Sequence, residues 1–141
     1  MSQYIVEKEF EHEGLKCVVL FGPLGHRTGY VGVPKGHPYF GKDYDERELS
    51  AVDVHGGLTY AGGGGNYPIK SDLHWFGFDC AHIGDGADFY LALTLFPENK
   101  EYIELMRAFC SNHGVVRSME YVEKECRSLA DQLNKAATQN K

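Results

Sequence analysis

Leu15-Lys16-Cys17-Val18-Val19-Leu20-Phe21 and, after the turn Gly22-Pro23-Leu24-Gly25, Thr28-Gly29-Tyr30-Val31-Gly32-Val33 are the stretches that decide the fold. Both are short runs rich in Val and aromatic residues and bounded by Gly and Pro, which is the composition of strands joined by a tight turn. Toward the N-terminus, Tyr4-Ile5-Val6 adds a third strand ahead of Gly14, so the first third of the chain reads as an antiparallel meander. Pro34 to Gly41 packs two prolines and two glycines into a shaped loop that continues no periodic element. One helical turn is expected over 45–51, capped by Asp43 or Asp45, followed by a short strand from Val52 to His55.

Gly56-Gly57 and Gly62-Gly63-Gly64-Gly65-Asn66 bracket Leu58-Thr59-Tyr60, which predicts a hairpin with the glycine run as its mobile tip and Trp75-Phe76-Gly77-Phe78 as its return strand. Gly77 between aromatics implies another chain segment lying close over it. Phe89 to Phe96 has the length and apolarity of a buried strand, although the run is also compatible with the start of a helix. Pro97-Glu98-Asn99 then opens a helix to about Cys110, with Tyr102, Met106 and Phe109 on one face and Asn112-His113-Gly114 ending it. Met119, Val122, Cys126, Leu129 and Leu133 recur at helical spacing behind Ser118 as N-cap, with Glu120, Lys124, Arg127 and Asp131 on the other side. Residues 134–141 are expected to fray.

The fold class that follows is α+β: a single domain over 1–141, built on a mainly antiparallel twisted sheet with a C-terminal amphipathic helix packed on one face. The same apolar stripe could instead serve as a seam between copies, and a homo-oligomer through this helix is the expected assembly.

Composition narrows the function. With 141 residues, one hydrophobic core is the natural outcome, and 43% apolar with 24% charged residues is ordinary for a globular chain. A net charge of −6 speaks against general nucleic-acid binding, which needs a surplus of Lys and Arg. No apolar run approaches the roughly 20 residues of a membrane span. Four cysteines without a C-x-x-C pair, and no secretory pattern at the start, point to reduced thiols in a cytoplasmic protein.

The densest polar convergence lies in Asp53-Val54-His55-Gly56-Gly57 and in Asp79-Cys80-Ala81-His82-Ile83-Gly84-Asp85. In a strand, Asp53 and His55 share a face, and Asp79, His82 and Asp85 at spacings of three can curl around one centre. Such a set can hold a divalent metal through His55, Asp79, His82 and Asp85. It can also divide acid and base roles, with His55, His82 and Asp79 as catalytic candidates, or hydrogen-bond a polar ligand without chemistry. A second candidate joins His26 and Arg27 to Lys35 and His37, at the two ends of the third strand, as an anion pocket with glycine amides. Tyr30, Tyr39, Phe40, Tyr60, Trp75 and Phe78 surround these loops, and any two that flank a cleft can sandwich a planar base. Cys80 is a poor nucleophile candidate, because acidic neighbours raise its pKa.

The blocks Gly29-Tyr30-Val31-Gly32-Val33-Pro34-Lys35-Gly36-His37-Pro38, Asp53-Val54-His55-Gly56-Gly57-Leu58-Thr59-Tyr60 and Trp75-Phe76-Gly77-Phe78-Asp79-Cys80-Ala81-His82-Ile83-Gly84-Asp85, together with the closing helix from Tyr121 to Leu133, resemble a family of small bacteriophage, prophage and bacterial proteins. The family brings no activity to carry over, and 85–117 is where this chain departs from it as a variable insertion. What the resemblance implies is a phage-type accessory protein of the bacterial cytoplasm, of the kind that modulates host defence by sequestering or cleaving nucleotide signals.

The leading expectation is therefore a binder of a small polar or nucleotide-like ligand, held by Arg27, Lys35, His37, His55, Gly56, Gly57, Asp79, His82 and Asp85. The alternatives are a hydrolase, metal-dependent or built on His and Asp, and a protein–protein inhibitor of a host factor.

Overall fold

The computed structural model describes residues 4–109 and 114–139. Strands β1 (Ile5–His12), β2 (Leu15–Phe21), β3 (Arg27–Val33), β4 (Tyr60–Gly63) and β5 (His74–Asp79) form one antiparallel sheet in the order β1-β2-β3-β5-β4. The meander and the hairpin thus meet along β3 and β5. β1 runs to His12, well past the expected Val6, because Lys8 to His12 pairs residue for residue with Leu15 to Val19 across a two-residue turn at Glu13-Gly14.

Helix α3 (Met119–Gln139) lies across one face of the sheet. Its stripe of Val122, Cys126, Leu129 and Leu133 is fully buried against Cys17, Val19, Val31, Val33, Phe76 and Phe78. Burying such side chains is worth roughly 1.5–3 kcal/mol each, which explains why a helix with no strong intrinsic stability holds its place. Ser118 caps it as expected, its Oγ accepting from Tyr121 N at 3.1 Å. Two expectations fall here. Because the stripe is consumed inside the chain, it is not available as an oligomer seam. The helix also continues past residue 134 to Gln139, helped by Asn134 Nδ2 donating to Glu13 O at 2.9 Å. Residues 140–141 lie outside the described residues.

The opposite face carries Val18, Leu20, Tyr30 and Trp75, and the segment between β4 and β5 folds back over them with Tyr67, Ile69 and Leu73. Tyr30 lies over Gly77, directly across the β3–β5 ladder, where a Cβ would come within 2.5 Å of its ring. The mirror arrangement holds one residue away, where Phe78 lies over Gly29 on the α3 face.

Segment 85–117 departs most from expectation. Phe89–Leu95 is a helix, α1, rather than a buried strand. Asp88 caps it, Oδ1 accepting from Leu91 N at 2.9 Å, and Phe89, Ala92 and Phe96 are buried at helical spacing against Phe21. A 3₁₀ turn at Pro97–Asn99 leads into α2 (Lys100–Phe109), whose buried residue is Ile103; the expected inner positions Tyr102 and Phe109 are exposed. Cys110, Asn112 and His113 lie outside the described residues. Short strands β6 (Asp85–Gly86) and β7 (Val115–Val116) pair in parallel and close the excursion at its base. Gly86 and Gly114 let the two backbones touch, since a Cβ on Gly86 would lie 2.7 Å from Gly114 O.

The 45–51 turn shrinks to a 3₁₀ turn at Arg47–Leu49, preceded by Glu46 rather than capped by Asp43 or Asp45. Val52–His55 is not a strand. Its main chain is held by α3 side chains two turns apart: Gln132 bonds both Asp53 N and Asp53 O at 2.8 Å, and Glu125 Oε1 accepts from His55 N at 2.8 Å. Among the described residues, no helix is long and apolar enough to cross a membrane.

Candidate functional site

The turn after Val54, the loop leaving β5 and the N-terminal end of α3 converge beside the β6–β7 pair. Asp85 is the hub, with 1% of its side chain exposed. It accepts from His55 Nε2 at 2.9 Å, from Arg117 Nε at 2.8 Å and from His82 N at 3.1 Å. Because a carboxylate only accepts, His55 carries its proton on Nε2; in the neutral ring, Nδ1 accepts from Tyr121 Oη at 2.8 Å. Burial works to raise the Asp85 carboxyl, but the bonds from His55, Arg117 and the His82 amide outweigh it and hold it below its ordinary value. Arg117 also covers the Tyr121 ring, its guanidinium 5.2 Å from the centroid.

A second pair lies alongside. His82 Nε2 sits 3.1 Å from Asp79 Oδ1, near enough for an ion pair but off the hydrogen-bonding direction, so that among the described residues the buried nitrogen has no hydrogen-bond partner. Asp79 also accepts from Thr59 Oγ1 at 2.9 Å and from Ala81 N at 3.1 Å. The His55 and His82 rings stand 6.2 Å apart. Gly56, at φ +69°, fits between them because a side chain there would collide with the His82 ring.

Five of the expected residues, His55, Gly56, Asp79, His82 and Asp85, therefore meet. The rest do not join them in one pocket. Asp53 is exposed and does not pair with His55, since the strand that would align them is absent. Gly57 completes the turn, its N–H donating to Val54 O at 2.8 Å, and faces open space. Arg27 is 8% exposed and committed: Nε and Nη2 bind Glu7, Nη1 donates to Arg117 O at 2.9 Å, and the guanidinium lies 5.0 Å from the Phe21 centroid. Lys35 and His37 lie past the far end of β3, roughly 20 Å away at the rise of a strand. His37 holds the last third of α3, with Nε2 on Leu133 O at 3.0 Å and Nδ1 accepting from Tyr39 N at 3.0 Å. The two ends of β3 thus make no common anion pocket.

The metal reading of His55, Asp79, His82 and Asp85 also loses its geometry. The four form two pairs rather than one ring of donors, and Asp85 and both His55 nitrogens are already engaged. Among the described residues, no three His, Cys, Asp or Glu side chains converge as a metal ion requires. Cys80 is buried, and its thiol is pushed up to about 12 by that burial and then by Asp85 and Asp79, which agrees with its exclusion as a nucleophile.

What the sequence left hidden is a cavity of about 420 Å³ on the sheet face opposite α3, at the end where β3 begins and β5 ends. Tyr4, Tyr30, Tyr60 and Tyr67 wall it, and Asp79, Thr59, Thr28 and His26 supply its polar side chains. The tyrosines brace one another edge to face, with centroids 5.4–5.8 Å apart in the pairs Tyr30–Tyr60, Tyr30–Tyr67, Tyr60–Tyr67 and Tyr4–Tyr67. The Tyr30 and Tyr67 hydroxyls are hydrogen-bonded, and burial raises both phenols. Thr28 Oγ1 lies near the same two hydroxyls but makes no hydrogen bond of acceptable geometry. Burial lowers the His26 imidazole despite the pull of Asp85 and Asp79.

The aromatic reading included Tyr30 and Tyr60, which wall this cavity, but missed Tyr4 and Tyr67; Phe78 also borders it, with its ring turned to the α3 face. Tyr67 follows the glycine run read as a mobile hairpin tip, and only the return of that segment over Tyr30 brings it in. Arg117 was missed because it ends the segment read as an insertion, and Tyr121 because it was read only as the start of the closing helix. No family model, curated protein or solved structure matches the chain.

Proposed function

We propose that this protein binds a small, flat organic molecule in the tyrosine-walled cavity, with Asp79 as its polar anchor. The observation that carries the reading is the cavity itself: about 420 Å³, within the roughly 300–1,000 Å³ range of small-molecule sites, largely aromatic, with a few polar groups gathered at one side. The mutually braced rings form a preorganised wall, which lowers the ordering cost of binding. Stacking on such rings is worth roughly 1–3 kcal/mol per planar group.

The His55–Asp85–Arg117–Tyr121 cluster supports the cavity from behind. It fixes the loop from Asp79 to Asp85 against α3, so Asp79 is held by its neighbours instead of swinging with the loop. A binder of this kind acts by withdrawing its ligand from solution, which is the accessory role the phage resemblance implies.

Native mass spectrometry of protein purified from bacterial cells, combined with protein-observed NMR against a library of flat fragments, tests the reading. The expected result is a retained molecule, or fragments that shift the amides of Thr59, Ala81 and Gly22, with both effects weakened by Tyr60→Ala. Fragments that shift only residues remote from the cavity, with no retained molecule, would refute it.

A further inference from the structure

We infer that the cavity is selective for an organic cation, a flat amidinium, guanidinium or protonated heterocycle, over neutral and anionic molecules of the same shape. This rests on the cavity being a binding site. The inference comes from the charges and faces that meet there. Among the described residues lining it, Asp79 carries the only formal charge, and neither Lys nor Arg is present. The guanidiniums of Arg117 and Arg27 are committed elsewhere, to Asp85 and Glu7. The chain as a whole carries −6, so its long-range field also favours a cation.

Asp79 keeps acceptor capacity for such a guest. A carboxylate offers about four lone-pair sites, and among the described residues Asp79 accepts one hydrogen bond from Thr59 Oγ1 and one from Ala81 N. His82 lies nearest Oδ1, and among the described residues the hydrogen bond that Oδ2 accepts is the one from Thr59. A planar N–H fork matches a carboxylate edge, whereas a phosphate or carboxylate guest would meet Asp79 with like charge. Tyrosine faces add to the preference, because the ring quadrupole attracts a cation over its face. His26 does not offset this by becoming cationic, since burial favours its neutral ring.

Benzamidine, benzamide and benzoate share one ring and differ in charge, so they separate the inference from the reading beneath it. Their affinities for the wild-type protein are measured by amide chemical-shift titration at about pH 8, where an ordinary imidazole is neutral. Benzamidine is expected to bind at least about tenfold more tightly than benzamide, with benzoate weakest, and to lose affinity as salt screens the pair. Asp79→Asn should bring benzamidine down to benzamide. If benzamide or benzoate shifts the cavity amides at concentrations as low as benzamidine does, the cavity stands as a binding site and the charge inference is overturned. If none of the three shifts those amides, the cavity reading falls, and the inference with it. The wild-type series decides the matter even if Asp79→Asn fails to fold.

Discussion

Replacing Asp85 by Asn removes the charge at the centre of the His55–Arg117 cluster while preserving the shape. The carboxylate is 1% exposed and accepts from three donors at 2.8–3.1 Å. The new amide NH₂ would point a donor at a donor. Removing one partner from a buried, hydrogen-bonded charge pair costs roughly 3–5 kcal/mol. Arg117 keeps 26% of its side chain in solvent and can turn outward, which places the expected loss at the low end, about 3 kcal/mol. For a chain of this length that is a fall in Tm of about 6–12 °C.

The pH dependence is a second signature. The Asp85 carboxyl is held below its ordinary value, so its contribution is complete above about pH 4 and is lost as pH falls through the lowered value. The gap in Tm between wild type and Asp85→Asn, followed by circular dichroism, should stay constant from about pH 7 to 5 and close in stronger acid. A variant melting within about 1 °C of wild type at neutral pH, or a gap that persists unchanged into acid, would refute the hub role of Asp85.

Two further outcomes are expected. Asp88→Ala removes the side-chain acceptor for Leu91 N and should cost about 1 kcal/mol; amide exchange should speed up at Leu91 and Ala92 while β3 and β5 stay protected. Cys17 and Cys80 are buried with thiols pushed up to about 12, and the Cys126 thiol is pushed up as well, all chiefly by desolvation. In a Cys110→Ser background, a thiol reagent should therefore leave all three unlabelled until denaturant is added, and labelling at the native plateau would contradict their burial.

The elements legible from sequence were those with a strong local period. β2 and β3 declare themselves through Val-rich runs, β5 through its aromatic run and α3 through a three–four apolar stripe, and local pattern and tertiary burial agree in each. Phe89–Phe96 was read first as a strand, with a helix as the alternative, because a short, mostly apolar run has no period to separate the two; the deciding feature is Asp88, one residue upstream, as a cap. Val52–His55 resembles a strand, yet Gln132 and Glu125 take its main-chain groups from some 70 to 80 positions later. No local rule reports such a partner. The candidate site was half legible for the same reason. His55, Asp79, His82 and Asp85 stand out as a polar cluster in glycine turns, whereas Tyr4 and Tyr67 reach the cavity only through long-range folding of separate segments. Lys35 and His37 were joined to His26 and Arg27 across the length of β3, and a seven-residue strand holds its two ends roughly 20 Å apart, too far for one pocket.

The reciprocal crossing of rings and glycines at the sheet centre makes the domain a two-sided instrument. Gly77 yields its space to Tyr30 on the cavity side, and Gly29 yields its space to Phe78 on the α3 side. A methyl group at position 77 would tilt a wall of the cavity, whereas one at position 29 would press on Phe78 and Cys126 beneath the helix. Neighbouring points of one ladder thus give separate levers, one for the shape of the tyrosine wall and one for the grip of the helix.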